Sequence, residues 1–255
     1  MHIMSIIKLH TIPSALTNLR KGKLVIVVDD ANRENEGDLI GAAEKITAKS
    51  INFMAREGRG LICAPITQEA ATRLELKPMV PPDNNEESTK CNFTISVDLK
   101  KNITTGISAF DRAKTVKKLA DTKSQAKDFV RPGHIFPLIA AKGGVLARAG
   151  HTEAAVDLAK LAKLKPTGVI CEILNEDGTM ARLPTLWKFA QKHKLKIISI
   201  ADLIAYRRKH ECLIKKTAEA DLPTHFGNFK IHVYQNSLDN QEHIALVAGK
   251  VKNKK

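Results

Sequence analysis

Apolar runs and amphipathic stretches follow one another along most of the chain. "KLVIVVDD" (23–30) is an apolar run backed by acids and predicts a strand. "AKSINFMAREG" (48–58) has helical spacing and stops at Gly58, and "GLICAPI" (60–66) is a second short strand. "TQEAATRLEL" (67–76) predicts a helix with Thr67 as its N-cap, whereas "NFTISVDL" (92–99) alternates as a half-buried strand does. "GHIFPLIAA" (133–141) and "GGVLARAG" (143–150) bracket a turn. "HTEAAVDLAKLAKL" (151–164) predicts a helix halted before Pro166, and "GVICEILN" (168–175) a strand. After the turn "DGTMARLP" (177–184) come a helix, "LWKFAQKHKL" (186–195), and a strand, "KIISI" (196–200). "ADLIAYRRKHE" (201–211) reads as a closing helix, beyond which "KKTAEADLPTHFGNFKIHVYQ" (215–235) begins something new. Strands and helices interleave without an internal repeat. The expected fold is therefore α+β (mixed α/β), with helices layered around a mixed, twisted β-sheet.

Composition narrows the function classes. With 255 residues, 43% hydrophobic and 27% charged, the chain has the make-up of a globular protein with a sizeable core. No apolar stretch approaches the length of a membrane helix, and Lys8 and His10 interrupt the N-terminal segment where a signal peptide would need an apolar core. Cys63, Cys91, Cys171 and Cys212 form no CxxC pair, so reduced thiols in the cytoplasm are expected, with Cys63 read as core. Lys and Arg total 41 against 27 acids, a formal charge of +14 that suits nucleic acid or an anionic metabolite. Two Tyr and one Trp offer little for base stacking, and no nucleic-acid motif appears. Most of the lysines read as solvated faces, and a phosphorylated small molecule would need only a few of them; neither nucleic acid nor a membrane is expected as a partner.

Four stretches carry candidate chemistry. In "DDANRENEGD" (29–38), five acids and Arg33 follow a buried strand in a strongly basic chain. Glu34, Glu36 and Asp38 offer hard oxygen ligands for Mg²⁺ or Mn²⁺, although a solvated turn has the same composition. In "RAGHTEA" (148–154), a glycine precedes a helix whose first turn holds His151, Thr152 and Glu153. Free amides there, with Arg148 and the Thr152 hydroxyl, would seat a phosphate or simply cap the helix. "RPGHIFPL" (131–138) stiffens His134 between prolines, as acid/base work requires, and Glu172 interrupts the apolar strand "VICEIL" (169–174). A structural histidine and an outward-facing edge carboxylate are the alternatives. "VPPDNNEESTK" (80–90) is a polar loop, either a lid or a surface excursion.

Taken together, "VVDDANRENEGDLI", "GRGLICAPIT", "TTGISAFDRAKT", "RPGHIFPL", "GGVLARAGHTEAAVDLAKLA" and "GVICEILNEDGTMAR" resemble the 3,4-dihydroxy-2-butanone 4-phosphate synthase family of riboflavin biosynthesis, in the family's order from about Leu16 to Arg207. The resemblance implies a lyase that converts D-ribulose 5-phosphate into 3,4-dihydroxy-2-butanone 4-phosphate and formate with Mg²⁺ or Mn²⁺. It implies Glu34 and His151 as metal ligands, and His134 and Glu172 as catalytic residues. Arg33, Glu34, Asp38, Arg148, Ala149, Gly150, His151, Thr152 and Glu172 would bind substrate; relatives can carry glycine where Ala149 stands. It also implies a homodimer with active sites near the shared interface.

"LPTHFGNFKIHVYQNSLDNQEHIALVAGKV" (222–251) resembles the opening strands of GTP cyclohydrolase II. The zinc site of that enzyme needs three cysteines lying further along, and no cysteine follows Cys212 here, so cyclohydrolase activity is not expected. The predicted division is a synthase domain over 1–207 and a truncated cyclohydrolase-like segment over 208–255. The alternative to an enzyme is a non-catalytic interaction subunit of a riboflavin-pathway enzyme, which would be free to lose Glu34, His134, His151 and Glu172.

Overall fold

The computed structural model describes residues 7–249. Two units divide at residues 204 and 205, and each is treated by itself below. Thr11 accepts from the Ser14 amide and caps α1 (Ile12–Arg20), a helix the apolar pattern did not announce. The run after Lys23 becomes β1 (Val25–Val28), and the chain returns through the acidic loop as β2 (Gly37–Ala42). β2 is buried on both faces, so it lacks the alternation that marks a half-buried strand.

The next helix is α2 (Ala48–Phe53), which passes into a π-turn over Met54–Gly58. β3 (Cys63–Ile66) leads to α3 (Gln68–Arg73), where Thr67 accepts from the Ala70 amide as the predicted N-cap. Of "NFTISVDL", only β4 (Val97–Leu99) is a continuous strand; Phe93 and Thr94 make isolated bridges to Leu138 and Pro78. α4 (Ala109–Ala120) begins inside a stretch read only as a motif and runs beyond it, and Ser108 caps it. The long β5 (Phe129–Ile139) carries His134, and α5 (His151–Leu161) begins directly after Gly150. β6 (Gly168–Glu172), α6 (Leu183–His193), β7 (Lys196–Ser199) and α7 (Ile200–His210) complete the alternation.

The seven strands of the first unit form one mixed sheet in the order β4-β5-β3-β6-β2-β1-β7. β1 with β7 and β3 with β5 run parallel, while β2 pairs antiparallel with both β1 and β6. Strand alternation sorts the side chains into two cores. Ile26, Val28, Leu39 and Cys171 join one apolar cluster with α2, α4 and α6 residues such as Ile51, Val116 and Leu186. Their neighbours Val27, Asp38, Ile40 and Glu172 therefore face the opposite layer, which α1 and α5 cover. α5 comes very close to the sheet because β6 starts with glycine: a Cβ on Gly168 would stand 2.6 Å from the Cβ of Ala155. The expected mixed sheet with helical layers is what the first unit shows.

The second unit holds a three-stranded antiparallel sheet of β8 (Ile214–Thr224), β9 (Gly227–Asn236) and β10 (Glu242–Ala248), with β9 in the centre. Its register lines up Leu222, Phe229 and Ala248 in one row and Ala220, Ile231 and Leu246 in another, giving the sheet one apolar face.

Candidate active site

The acidic loop is built around Asp29. Its carboxylate accepts from the amides of Glu34 at 3.0 Å and Glu36 at 2.8 Å, and from Arg33 Nη1 at 3.0 Å, with no exposed side-chain surface. Each such charge-assisted bond contributes about 2 kcal/mol, enough to fold eight residues of polar chain into one shape. Arg33 Nη1 also lies 2.6 Å from Glu34 Oε2. The loop thus presents the Glu34 carboxylate next to a guanidinium and turns it toward α5.

α5 answers with His151 in its first turn. The buried ring donates Nε2–H to the Val27 carbonyl at 3.2 Å, which leaves Nδ1 pointing at Glu34 Oε2, 3.5 Å away, and Asp38 Oδ1, 4.0 Å away. Asp38 on β2 and Glu172 on β6 are direct partners across the antiparallel ladder, so their side chains share a face. Glu172 Oε2 accepts from the Leu61 amide at 2.8 Å. Gly60 makes this possible, because a Cβ there would stand 2.6 Å from that same oxygen.

The electrostatics follow from burial and from these neighbours. Burial opposes a charge on His151, yet the Asp38 and Glu34 carboxylates outweigh it and push the imidazolium up to about 9. The same contact with His151, helped by Arg33 against burial, lowers Glu34. Burial raises Asp38 to about 7, with His151 opposing and the Glu172 and Glu34 charges adding to the rise. Burial also lifts Glu172. Two carboxyl groups that hold protons more tightly than usual, side by side, are suited to proton transfer near neutrality.

A cavity of about 300 Å³ gathers Arg33, Glu34, Asp38, Arg148, His151, Thr152 and Glu172, seven of the ten residues the family resemblance implied, together with Glu36 of the acidic loop. Gly150 borders it: a Cβ there would stand 2.3 Å from Arg148 Nη1 and 3.1 Å from Arg33 Nη2, so its glycine lets the two guanidinium groups converge. Neither Ala149 nor His134 lines the cavity. His134 lies on β5, where Asp98 grips it twice, accepting from its amide at 3.0 Å and meeting Nδ1 at 2.6 Å. The His134 side chain remains 41% exposed.

Other residues enter that sequence patterns did not single out. Glu87, Thr89 and Cys91 line the cavity, so the 80–90 loop reaches the site, and Cys63 is both core and wall. Arg148 binds this loop closely, donating to the Thr89 carbonyl at 2.8 Å and hydroxyl at 2.9 Å while pairing with Glu153 at 2.7 Å. Asp98 had no local signal, since strand pairing joins it to His134 across 36 residues. The five acids of 29–38 gave no hint that Asp29 and Asp38 would be the two turned inward.

The sequence profile of the 3,4-dihydroxy-2-butanone 4-phosphate synthase family matches residues 13–206. The chain belongs to this synthase family. A GTP cyclohydrolase II profile matches residues 215–254. The riboflavin biosynthesis protein RibBA of Bacillus cereus is 59% identical over 242 residues, and that of Aquifex aeolicus 55% identical over 245. These alignments take in 95% and 96% of this chain, which spans 60% of the length of each relative. Among solved structures, the two-domain synthase RibBX of A. baumannii superposes with a TM-score of 0.83 at 43% identity, over 94% of this chain and 70% of its own. A synthase crystallised with two magnesium ions gives a TM-score of 0.75 at 43% identity, over 79% of this chain and 98% of its own. Both RibBA relatives are named for riboflavin biosynthesis.

The synthase donor set suits a divalent cation. Asp29, Glu34 and His151 present ligand atoms within 4.8 Å of one another. Asp29 already accepts from two amides and Arg33, so Glu34 and His151 are the pair with lone pairs to offer. The Val27 carbonyl fixes the tautomer that frees Nδ1, as an outer partner of a metal-bound imidazole does. The oxygen-rich surroundings favour a hard ion.

The raised imidazolium makes a testable statement about the metal-free protein. Because the folded value of about 9 exceeds the ordinary 6.5, His151 contributes stability that is full below pH 6.5 and lost as pH rises through about 9. Urea unfolding of wild type and His151→Asn should show the widest stability gap at pH 6 and a much smaller one at pH 10. A gap that stays constant or widens with pH would contradict this charge arrangement.

Proposed function

We propose that this chain catalyses the metal-dependent conversion of D-ribulose 5-phosphate into 3,4-dihydroxy-2-butanone 4-phosphate and formate. The observation that carries the reading is the single cavity in which Glu34, Asp38, His151 and Glu172 face Arg33, Arg148 and Thr152. Glu34 and His151 hold Mg²⁺ or Mn²⁺. Such an ion, when bound, supplies Lewis-acid polarisation of neighbouring sugar oxygens.

The chain's own groups do the rest. Arg148 and the first turn of α5 from Gly150 to Thr152, with Ala149 between, anchor the phosphate at one end, so the reacting carbons are fixed at the other. Arg33, Asp38 and Glu172 orient the hydroxyls. Glu172, held at one oxygen by the Leu61 amide, has its other oxygen to move a proton during enediol formation, dehydration and skeletal rearrangement. Asp38, across the ladder, tunes it by sharing a limited supply of negative charge. His134 is the second acid/base group: Asp98 takes its Nδ1–H and leaves Nε2 to exchange protons with substrate. Water escapes from the cavity as the small substrate fills it, which strengthens each of these contacts.

His134 does not line the cavity of its own chain, and a homodimer resolves this. Leu61, whose own amide binds Glu172, is 45% exposed, and Ile107, next to the glycine packed on Asp98 and His134, is 53% exposed. Phe110 in the same segment is 70% exposed. These apolar side chains suit burial against a second copy, which would bring His134 of the partner subunit to the site. The activity is assigned to residues 1–207, working on a small-molecule sugar phosphate in the cytoplasm, and none is assigned to the cyclohydrolase-like 208–255.

Formate release from ribulose 5-phosphate with Mg²⁺ tests the reaction directly. It should cease with EDTA, return with added metal, and be absent in Glu34→Ala; a folded, metal-supplied wild type that makes no formate would refute the reading and favour a non-catalytic subunit. Mixing inactive Glu172→Gln with inactive His134→Asn should restore about a quarter of wild-type activity, because half of random dimers then contain one intact site. No recovery after verified subunit exchange would return both residues to one chain.

A further inference from the structure

The acidic loop is fastened from two sides. Asp29 gathers its amides from within, and Arg182 gathers its carbonyls from outside. Arg182 Nη1 donates to the backbone oxygens of Glu34 at 2.7 Å and Asn35 at 2.5 Å, reaching back almost 150 residues along the chain (148 and 147). Asn35 has φ 55°, in the left-handed region, so the chain turns sharply where the guanidinium holds it. Arg182 is itself well anchored. It is the N-cap residue of α6, and its carbonyl accepts from the Thr185 and Leu186 amides at 2.9 Å. Leu186 seats the helix against the far end of the same loop, its Cδ1 2.5 Å from where a Cβ on Gly37 would stand. Yet Arg182 does not line the cavity, and 46% of its side chain is exposed.

Building on the metal-site reading above, we infer that Arg182 is a positioning residue for the divalent cation. By clamping the backbone of Glu34 and Asn35 from outside the cavity, it keeps the Glu34 carboxylate facing His151 Nδ1 and thereby sets metal affinity. A metal that meets a preformed pair of ligands need not order the loop as it binds. Without the clamp, the two carbonyls turn to water and Glu34 follows Arg33 or solvent. The loop still has Asp29 beneath it, so loss of Arg182 loosens the ligand without unfolding the strand pair.

Mn²⁺ binding to the full chain, read by the EPR signal of free Mn²⁺, tests this with wild type, Glu34→Gln, Arg182→Ala and Arg182→Lys. Arg182→Ala should weaken Mn²⁺ binding about 10-fold, as loss of an outer partner does. Millimolar guanidine should restore most of that affinity, since the vacated place is open to solvent, and turnover lost at low metal should return at saturating metal. Arg182→Lys, a point charge with a shorter reach and no planar fork, should fall between the two and carries the test should the alanine variant not fold. The inference is overturned if both Arg182 variants bind Mn²⁺ as wild type does while Glu34→Gln does not. It is equally overturned if guanidine restores nothing and the melting temperature has dropped with the affinity, which is plain structural damage. A wild type that takes up no Mn²⁺ would instead remove the metal-site reading, and this inference with it.

Discussion

His151 Nδ1 lies 3.5 Å from Glu34 Oε2 and 4.0 Å from Asp38 Oδ1, in a place that water barely reaches. At an effective dielectric of about 20, one positive charge against the nearer carboxylate is worth ~5 kcal/mol, far more than an exposed pair offers. Negative charge packed this tightly requires a positive charge among it. In the metal-free protein a proton on the imidazole meets the need, which is why it is held to about pH 9. A divalent ion meets the same need with twice the charge. On the metal-site reading proposed above, the two cations would compete for one place, and uptake of metal would release the proton.

Everything nearby serves to hold those charges together. Strand alternation turns Asp38 and Glu172 toward the α5 layer while Leu39 and Cys171 fill the opposite core. The close approach of α5 at Gly168 brings its first turn down onto the sheet. Glycines at 60 and 150 leave room for a carboxylate and two guanidinium groups where any side chain would collide. Asp29 turns inward and converts a charged segment into a shaped loop. These features are unremarkable singly, and the chemistry depends on their coincidence in one cavity.

The strongly periodic parts of this arrangement were legible in the sequence. β1, α5, β6, α6 and the Thr67 cap lie where apolar spacing and capping residues put them, because each has one buried face or a local hydrogen bond that a sequence displays. β2 was hidden because both its faces are buried and an acidic loop runs straight into it. The strand expected over 92–99 shrinks to three residues because Phe93 and Thr94 each find only a single bridging partner. At the site, residue types and their order led to seven side chains that do share a cavity. What could not be read was pairing at a distance: Asp98 with His134, Thr89 with Arg148, Arg182 with the acidic loop. Those contacts arise only when the sheet has brought remote segments side by side.

On the function proposed above, the acids of 29–38 are concentrated there to hold a cation against His151. Anomalous scattering from crystals grown or soaked with Mn²⁺ tests it most directly. A peak bound jointly by a Glu34 oxygen and His151 Nδ1, and absent in Glu34→Gln crystals, is the predicted result. A peak held by other side chains, or none in a well-ordered site at saturating Mn²⁺, would contradict it.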